Sequence, residues 1–458
     1  MNKEEIIARL EDLSAEQIAG FILKGTVTLE ELIDGVKKGR FEWGHESQKK
    51  VKALLKKEDD NVFVAANTVA ELQHYLSIFP EGSHVAEARE DIKRLEDNKN
   101  AEERKQLVRE KMLEELREDI NEYTPEEVRD NLNPKDLNDL CREYGIDVQK
   151  IKDYKEPDLF FDDIPQSEDD IPKGYTDVFF WGIPSSGKTC ALSTIFNTIK
   201  KSYAMEAPDC DQKFGTIYRD SLINIFRNDD WGYLPGRTNR DRTQYMPFLF
   251  YQRGEDKKRK ISFFELSGEV FKYFYEKAYN TKIDQDDYDR SDILKSFETL
   301  ELLLKSDNQK IHYFFIDYYQ ETKHAETVNN FTQSNYLEAA AIYFRDKKDE
   351  KGKPIDIFKK KTDAVYVVVT KSDEIPDNDR EANAIKFLNE NFHTFMGVLE
   401  NQCKRYSVDF KVKLFSIGNV YFKRLCKINR EFSTDIIHDL MRKVQPVSDS
   451  KWRKFFNS

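Results

Sequence analysis

Eight residues set the tightest limit on what this chain can fold into: Gly182-Ile183-Pro184-Ser185-Ser186-Gly187-Lys188-Thr189, which fit the spacing GxxxxGK[ST]. The residues before them, DVFFW (177–181), read as a buried strand. Those after them, CALSTIFNTIKK (190–201), read as an amphipathic helix. The pattern alone would also fit a Gly-rich turn with an exposed lysine. Strand, glycine loop and helix in that order is what a phosphate cradle needs. The glycines let backbone N–H groups wrap a polyphosphate, and the helix start adds positive potential. Lys188 would reach the outer phosphates and the Thr189 hydroxyl would take a magnesium ion. The loop residues Gly182, Pro184, Ser185, Ser186 and Gly187, with Lys188, Thr189 and Cys190, are therefore the first candidate ligand contacts.

The surroundings extend this reading. From residue 174 onward, short β-branched and aromatic runs (FLFYQ, ISFFEL, IHYFFIDYY, DAVYVVV, VKLFSIG) alternate with helical stretches. That texture predicts an α/β domain with a mostly parallel central sheet over 174–458, with a helical insertion at about 270–310.

A second motif falls in order behind the loop. Val365-Tyr-Val-Val-Val369 is followed by Thr370-Lys371-Ser372-Asp373. This resembles the guanine-specificity motif [NT]KxD of P-loop GTPases, with Thr370 in place of the commoner Asn. The resemblance implies that Asp373 accepts from the guanine N1–H and exocyclic amine, and that Lys371 lies over base and ribose. Ile261-Ser-Phe-Phe-Glu265-Leu-Ser-Gly268-Glu269 resembles the DxxG segment, with Glu265 where the family has Asp. By that likeness Glu265 serves the metal, the Gly268 N–H feels the γ-phosphate, and Glu269 stands where signalling GTPases carry a water-orienting Gln. Leu414-Phe-Ser416-Ile417-Gly418 resembles the loop that presses on the base, although Gly418 departs from it; Ser416 and Ile417 are its candidate contacts.

The stretch DWGYLPGRTNRDRTQYMPFLFYQ lies where switch I should be. Thr238 and Thr243 both qualify as the switch threonine that binds the metal. Arg237, Arg240 and Arg242 surround them. An arginine there can act as a finger in cis; a basic solvent loop would look the same. Asp317, ending IHYFFID, could mimic the metal-binding aspartate of an ATPase, but its place between the two motifs fits a plain GTPase strand better. The seven histidines are isolated, with no nucleophile or metal partner in view.

By motif order, residues about 174–445 resemble the translation-factor-like class of P-loop GTPases. LPGRT and ELSGE are also similar to segments of large bacterial GTPases of conflict and signalling systems. The resemblance implies GTP and GDP as ligands, Mg2+ as cofactor, slow hydrolysis, and a nucleotide-dependent dimer as one possible assembly. A scaffold that binds GTP with little hydrolysis remains open, given Glu265, as does an ATP-dependent P-loop protein.

The front of the chain is different. Residues 1–150 repeat apolar positions at helical spacing and mark helix starts with Ser14, Thr28 and Thr124, the last followed by Pro125. TVAELQHYLSIFPEGSHVAEAREDIKRLED resembles a tetratricopeptide-like helical hairpin, and SAEQIAGFILKGTVTLEEL is echoed by TPEEVRDNLNPKDLNDL. Such hairpins form protein-docking surfaces; a bundle that packs only on its neighbour fits as well. Residues about 98–122 form a charged helix, a solvated face or spacer. Residues 151–173, with three prolines and eight acids, read as a linker in which Leu159, Phe160 and Phe161 could dock.

Of the net charge of −12, residues 1–150 carry −11, the linker −5, and the remainder +4. The acidic front therefore disfavours nucleic acid. No apolar stretch is long enough to span a bilayer, the N-terminal residues lack a signal-peptide core, and five scattered cysteines suggest a reducing cytoplasm.

Overall fold

The computed structural model describes residues 1–208, 214–226, 230–235, 242–255, 257–280, 290–323, 332–346 and 361–447. It divides into two compact units, Met1–Glu115 and Leu116–Ser458.

The first unit is all helical: Lys3–Ala8, Ala15–Leu23, Leu29–Lys37, His45–Ala65, Val69–Ile78 and Val85–Glu118, the last running past the unit's end. Ser14, Thr28 and Thr68 each accept the N–H three residues on, while Gln17, Glu31 and Glu71 reach back to close capping boxes. Ile6, Ile18, Ile22, Leu32, Val51, Leu55, Leu72 and Tyr75 form the core. The PEGS turn is fixed by one buried carboxylate. Asp59 accepts Tyr75 Oη at 2.7 Å and both the N–H and Oγ of Ser83 at 2.8 Å. His84 stacks on Phe63 and pairs with Asp60 (2.8 Å) and Glu87 (3.2 Å). Residues 96–108, on the long helix, are all exposed, as a charge run requires.

The second unit is built on a seven-stranded sheet. Its strands are β1 (Thr176–Trp181), β2 (Tyr203–Glu206), β4 (Gln244–Gln252), β5 (Arg259–Glu265), β6 (Gln309–Asp317), β7 (Thr362–Thr370) and β8 (Asp409–Phe415). The order is β2-β4-β5-β1-β6-β7-β8. β5, β1, β6, β7 and β8 are mutually parallel; β4 runs against both its neighbours. All six residues of β1 are buried, because helices cover both faces. On one face Phe179 and Trp181 pack with helices Val270–Tyr279, Gln333–Asp346 and His393–Tyr406. On the other, Val178 and Phe180 meet Lys188–Ser202, Thr216–Ile225 and Glu431–Lys443. This is an α/β domain with a mostly parallel sheet. Between β5 and β6 stand helices Val270–Tyr279 and Arg290–Lys305, where a helical insertion was expected.

Three short strands, β3 (Trp231–Tyr233), β9 (Gly418–Tyr421) and β10 (Leu425–Ile428), pair antiparallel in the order β3-β10-β9. Helices Pro125–Asn131, Pro134–Glu143 and Val148–Lys152 belong to this second unit, whereas the sequence groups them with the first. They pack at the small sheet: Tyr233 Oη donates to the Lys150 carbonyl (2.8 Å), Tyr144 and Tyr154 meet Tyr421 and Tyr233 edge-on, and Phe422 N–H donates to Ile120 O (3.1 Å). The acidic stretch 154–173 is strapped to the same unit. Leu159 and Phe161 pack on its core, Asp162 exchanges bonds with Gln244, and Pro165 O accepts Thr299 Oγ1.

The hydrogen bonds to Asp60 and then Glu87 raise the His84 pKa above its ordinary value. The folded unit therefore binds that proton more tightly than the unfolded chain. The stabilisation is complete below about pH 6.5 and is lost as pH rises through the folded-state value. Hydrogen exchange corrected for intrinsic rates should show weaker protection of residues 59–63 and 83–88 at pH 8 than at pH 6. His84→Gln should abolish the difference; a wild-type protein with equal protection would show that the pairing contributes nothing.

Candidate functional site

Parallel strands put like ends together. The C-terminal ends of β5, β1, β6, β7 and β8 lie along one edge, with Phe180 opposite Glu265, Asp317 opposite Thr370, and Thr370 opposite Phe415. Sheet order reverses between β1 and β6, which is where α/β folds place ligands.

The loop after β1 opens into the helix Lys188–Ser202. Ser185 (φ 64°) and Gly187 (φ 88°) are left-handed, the alternation that turns successive N–H groups to one side. Lys188 Nζ donates to Gly182 O (2.8 Å), Ile183 O (2.9 Å) and Ser186 Oγ (3.4 Å). Burial lowers its pKa to about 8, opposed by the charges of Glu265 and Glu269. Gly268 lies against the loop. A Cβ there would collide with Pro184 N and stand 2.6 Å from Ile183 C. On the far side Gly187 packs on Thr370.

Thr189 Oγ1 donates to Glu265 Oε1 at 2.6 Å, and Tyr218 Oη donates to Glu265 Oε2 at 2.6 Å. Burial pushes the Glu265 carboxyl up, while those two bonds and the Lys188 charge pull it back. A hydroxyl and a carboxylate in contact are the hard oxygen donors that Mg2+ accepts, with substrate phosphates completing its shell. Among the described residues no three acids or imidazoles gather around one point, and such a shell needs none. Glu269 is buried and ion-paired with Lys272. Thr243 is buried, its Oγ1 accepting Ser267 N–H at 3.0 Å. Arg237, Thr238 and Arg240 lie outside the described residues. Arg242 stacks its guanidinium over Phe161 (5.2 Å).

At the end of β7, Thr370 Oγ1 donates to Ile316 O (3.3 Å) and Lys371 is left-handed (φ 53°). Lys371 Nζ pairs with buried Asp317 at 2.8 Å and lies 5.1 Å over the Tyr319 ring. The Asp317 carboxylate thus takes a lysine and the Gln320 N–H (3.0 Å), at a position that the sequence reads as a plain strand end in preference to a metal ligand. Asp373 is exposed on the turn Ser372–Glu374. Burial pushes up the thiols of Cys190, to about 11, and of Cys426, with Cys190 and Asp373 among the charges felt at Cys426. The loop Ser416–Ile417 is tied by Ile417 O, which accepts Asn429 N–H (2.8 Å), and by Ser416 Oγ, which accepts Gly418 N–H (3.2 Å). Gly418 (φ 114°) begins β9, where a Cβ would strike Lys427 O. The hairpin explains why this loop departs from the pattern it resembles. Tyr218 and the Lys371–Asp317 pair were missed by sequence reasoning, since neither follows a spacing rule.

No family model matches the chain, and no curated protein matches it. Among solved structures, a nucleolar GTP-binding protein 1 from Plasmodium falciparum is similar at 10% identity and a TM-score of 0.24, covering 60% of this chain and 89% of that one. No helix among the described residues is long and apolar enough to cross a membrane.

Gly268→Ala should destabilise the second unit by about 1–3 kcal/mol, the usual cost of forcing a methyl into packed backbone. Gly397→Ala makes the same chemical change in the helix His393–Tyr406 with open space around it, and should instead stabilise by about 0.5–1 kcal/mol. Urea midpoints followed by tryptophan fluorescence check both signs.

Proposed function

We propose that the second unit binds GTP with Mg2+ and hydrolyses it slowly to GDP and phosphate. In this reading the resulting loop rearrangement gates protein partners docked on the helical region. One observation carries this reading: Lys188 and Thr189 after β1, Glu265 at the end of β5 with Gly268 following, and Thr370 at the end of β7 with Lys371 and Asp373 following all stand at one edge of the sheet.

The residues divide the work. Backbone N–H groups of the 182–187 loop hold the β-phosphate. Lys188 exchanges its bonds to the Gly182 and Ile183 carbonyls for phosphate oxygens. Thr189 and Glu265 would hold the cation, with Thr238 or Thr243 as a further ligand, and a bound Mg2+ would supply positive charge beside the phosphates. The Gly268 N–H reaches the γ-phosphate. Arg237 or Arg240 supplies positive charge to the transferring group, and Glu269 orients the water. At the base, Asp373 accepts the guanine donors, Lys371 lies over the ring, and Ser416 and Ile417 border it.

One observation favours a second reading, a GTP-binding scaffold with little hydrolysis. Glu269 is buried in an ion pair with Lys272, and turning it to water means breaking that pair. Single-turnover measurements separate the two. A hydrolase should release phosphate on the order of 10⁻⁴ to 10⁻² per second and slow in Glu269→Ala; a scaffold should release none.

Asp373→Asn replaces an acceptor with an amide that can donate to the 2-oxo group of xanthine. Loss of a charge-assisted pair costs on the order of 1.5–3 kcal/mol, about ten- to a hundred-fold in affinity. Calorimetry should show weaker GTP and stronger XTP binding. Unchanged GTP affinity with no gain for XTP would remove the guanine assignment.

A further inference from the structure

Tyr218 lies on the helix Thr216–Ile225, which carries no motif. Its side chain is buried, at 2% exposure, and its hydroxyl donates to Glu265 Oε2 while Thr189 Oγ1 occupies Oε1, each at 2.6 Å. A glutamate has one more rotatable bond than the aspartate expected at this position, and its last torsion is broad. Held at one oxygen only, its carboxylate could rotate away from Thr189. Held at both, its plane is fixed. Tyr218 is itself fixed from outside: its N–H donates to Asp162 Oδ2 (2.9 Å) and its ring stacks on Phe161 at 5.4 Å and 21°.

We infer that Tyr218 is a positioning residue for the cation site: its hydroxyl locks Glu265 so that the longer side chain presents one oxygen beside Thr189. This rests on the proposed reading of Thr189 and Glu265 as Mg2+ ligands. It also gives the acidic strap a task, since Phe161 and Asp162 hold Tyr218 in place. The departure from Asp to Glu and the tyrosine then belong together. Glu265 reaches further, and Tyr218 restores the orientation that the extra bond would lose.

The test uses the full chain, wild type and Tyr218→Phe, which removes only the hydroxyl and keeps the stacked ring. Affinity for a fluorescent GDP analogue is measured in EDTA and across a MgCl2 titration. Partners that orient a metal ligand are typically worth ten- to a hundred-fold in metal affinity. The two proteins should have equal affinity in EDTA, and the Mg2+ half-saturation of Tyr218→Phe should be raised about ten- to a hundred-fold. In the Glu265→Gln background, Tyr218→Phe should add no further shift. An unchanged half-saturation overturns the inference alone, as does an equal loss with and without Mg2+, which is what a merely structural role gives. A wild type whose nucleotide affinity ignores Mg2+ overturns the cation reading and this inference together.

Discussion

Parallel pairing of β5, β1, β6, β7 and β8 requires every one of these strands to end at the same edge, and each end carries a chemical group. Lys188, Glu265, Asp317, Thr370 and Ser416 come from positions up to 228 residues apart in the chain, yet the register leaves them no other place to converge. A one-residue slip would turn every side chain of a strand to the opposite face and bury the wrong set. The two-sided core prevents it, because Phe179 and Trp181 serve one face and Val178 and Phe180 the other. The site is a consequence of a sheet that has only one stable register.

Electrostatics at that edge are crowded and mutually compensated. Lys188, Glu265, Glu269 and Lys272 are all buried, an arrangement that water alone would not favour. Each charge has a partner: Lys188 the loop carbonyls, Glu265 two hydroxyls, Glu269 the neighbouring lysine. In the proposed reading these partners are exchanged: a phosphate takes the lysine from the carbonyls, and a cation shares the carboxylate with Thr189. Backbone cannot yield in the same way: at Gly268 no Cβ fits beside Pro184 N and Ile183 C, so the two loops stay in close approach.

Local rules made much of this legible. Ser14, Thr28 and Thr124 cap helices as their sequence context requires, because a capping box spans four residues. The strand–loop–helix at 176–202 and the strands ending at Glu265 and Thr370 follow from short β-branched and aromatic runs and the glycine loop. Interactions set by tertiary distance were not legible. Asp59 bonds to Tyr75 and Ser83, Lys371 to Asp317, and Tyr218 to Glu265, and no spacing announces any of them. The grouping of residues 116–150 fails for the same reason. TPEEVRDNLNPKDLNDL patterns like SAEQIAGFILKGTVTLEEL, and only the surface it packs against, through Lys150 and Ile120, tells them apart. The stretch 151–173 reads as a linker by composition, but Phe161 and Asp162 bind it to the α/β core.

The proposed function requires that the 182–189 loop hold the phosphates of a guanine nucleotide. Calorimetric titration of the full chain and of Lys188→Ala with a non-hydrolysable GTP analogue and its adenine counterpart, in Mg2+, tests it most directly. The wild type should bind the guanine analogue in preference. Lys188→Ala should lose at least about ten-fold in affinity, from a charge-assisted bond of about 1.5–3 kcal/mol, with an unchanged circular dichroism spectrum. Equal affinity of the two proteins, or equal affinity for both analogues, would contradict it.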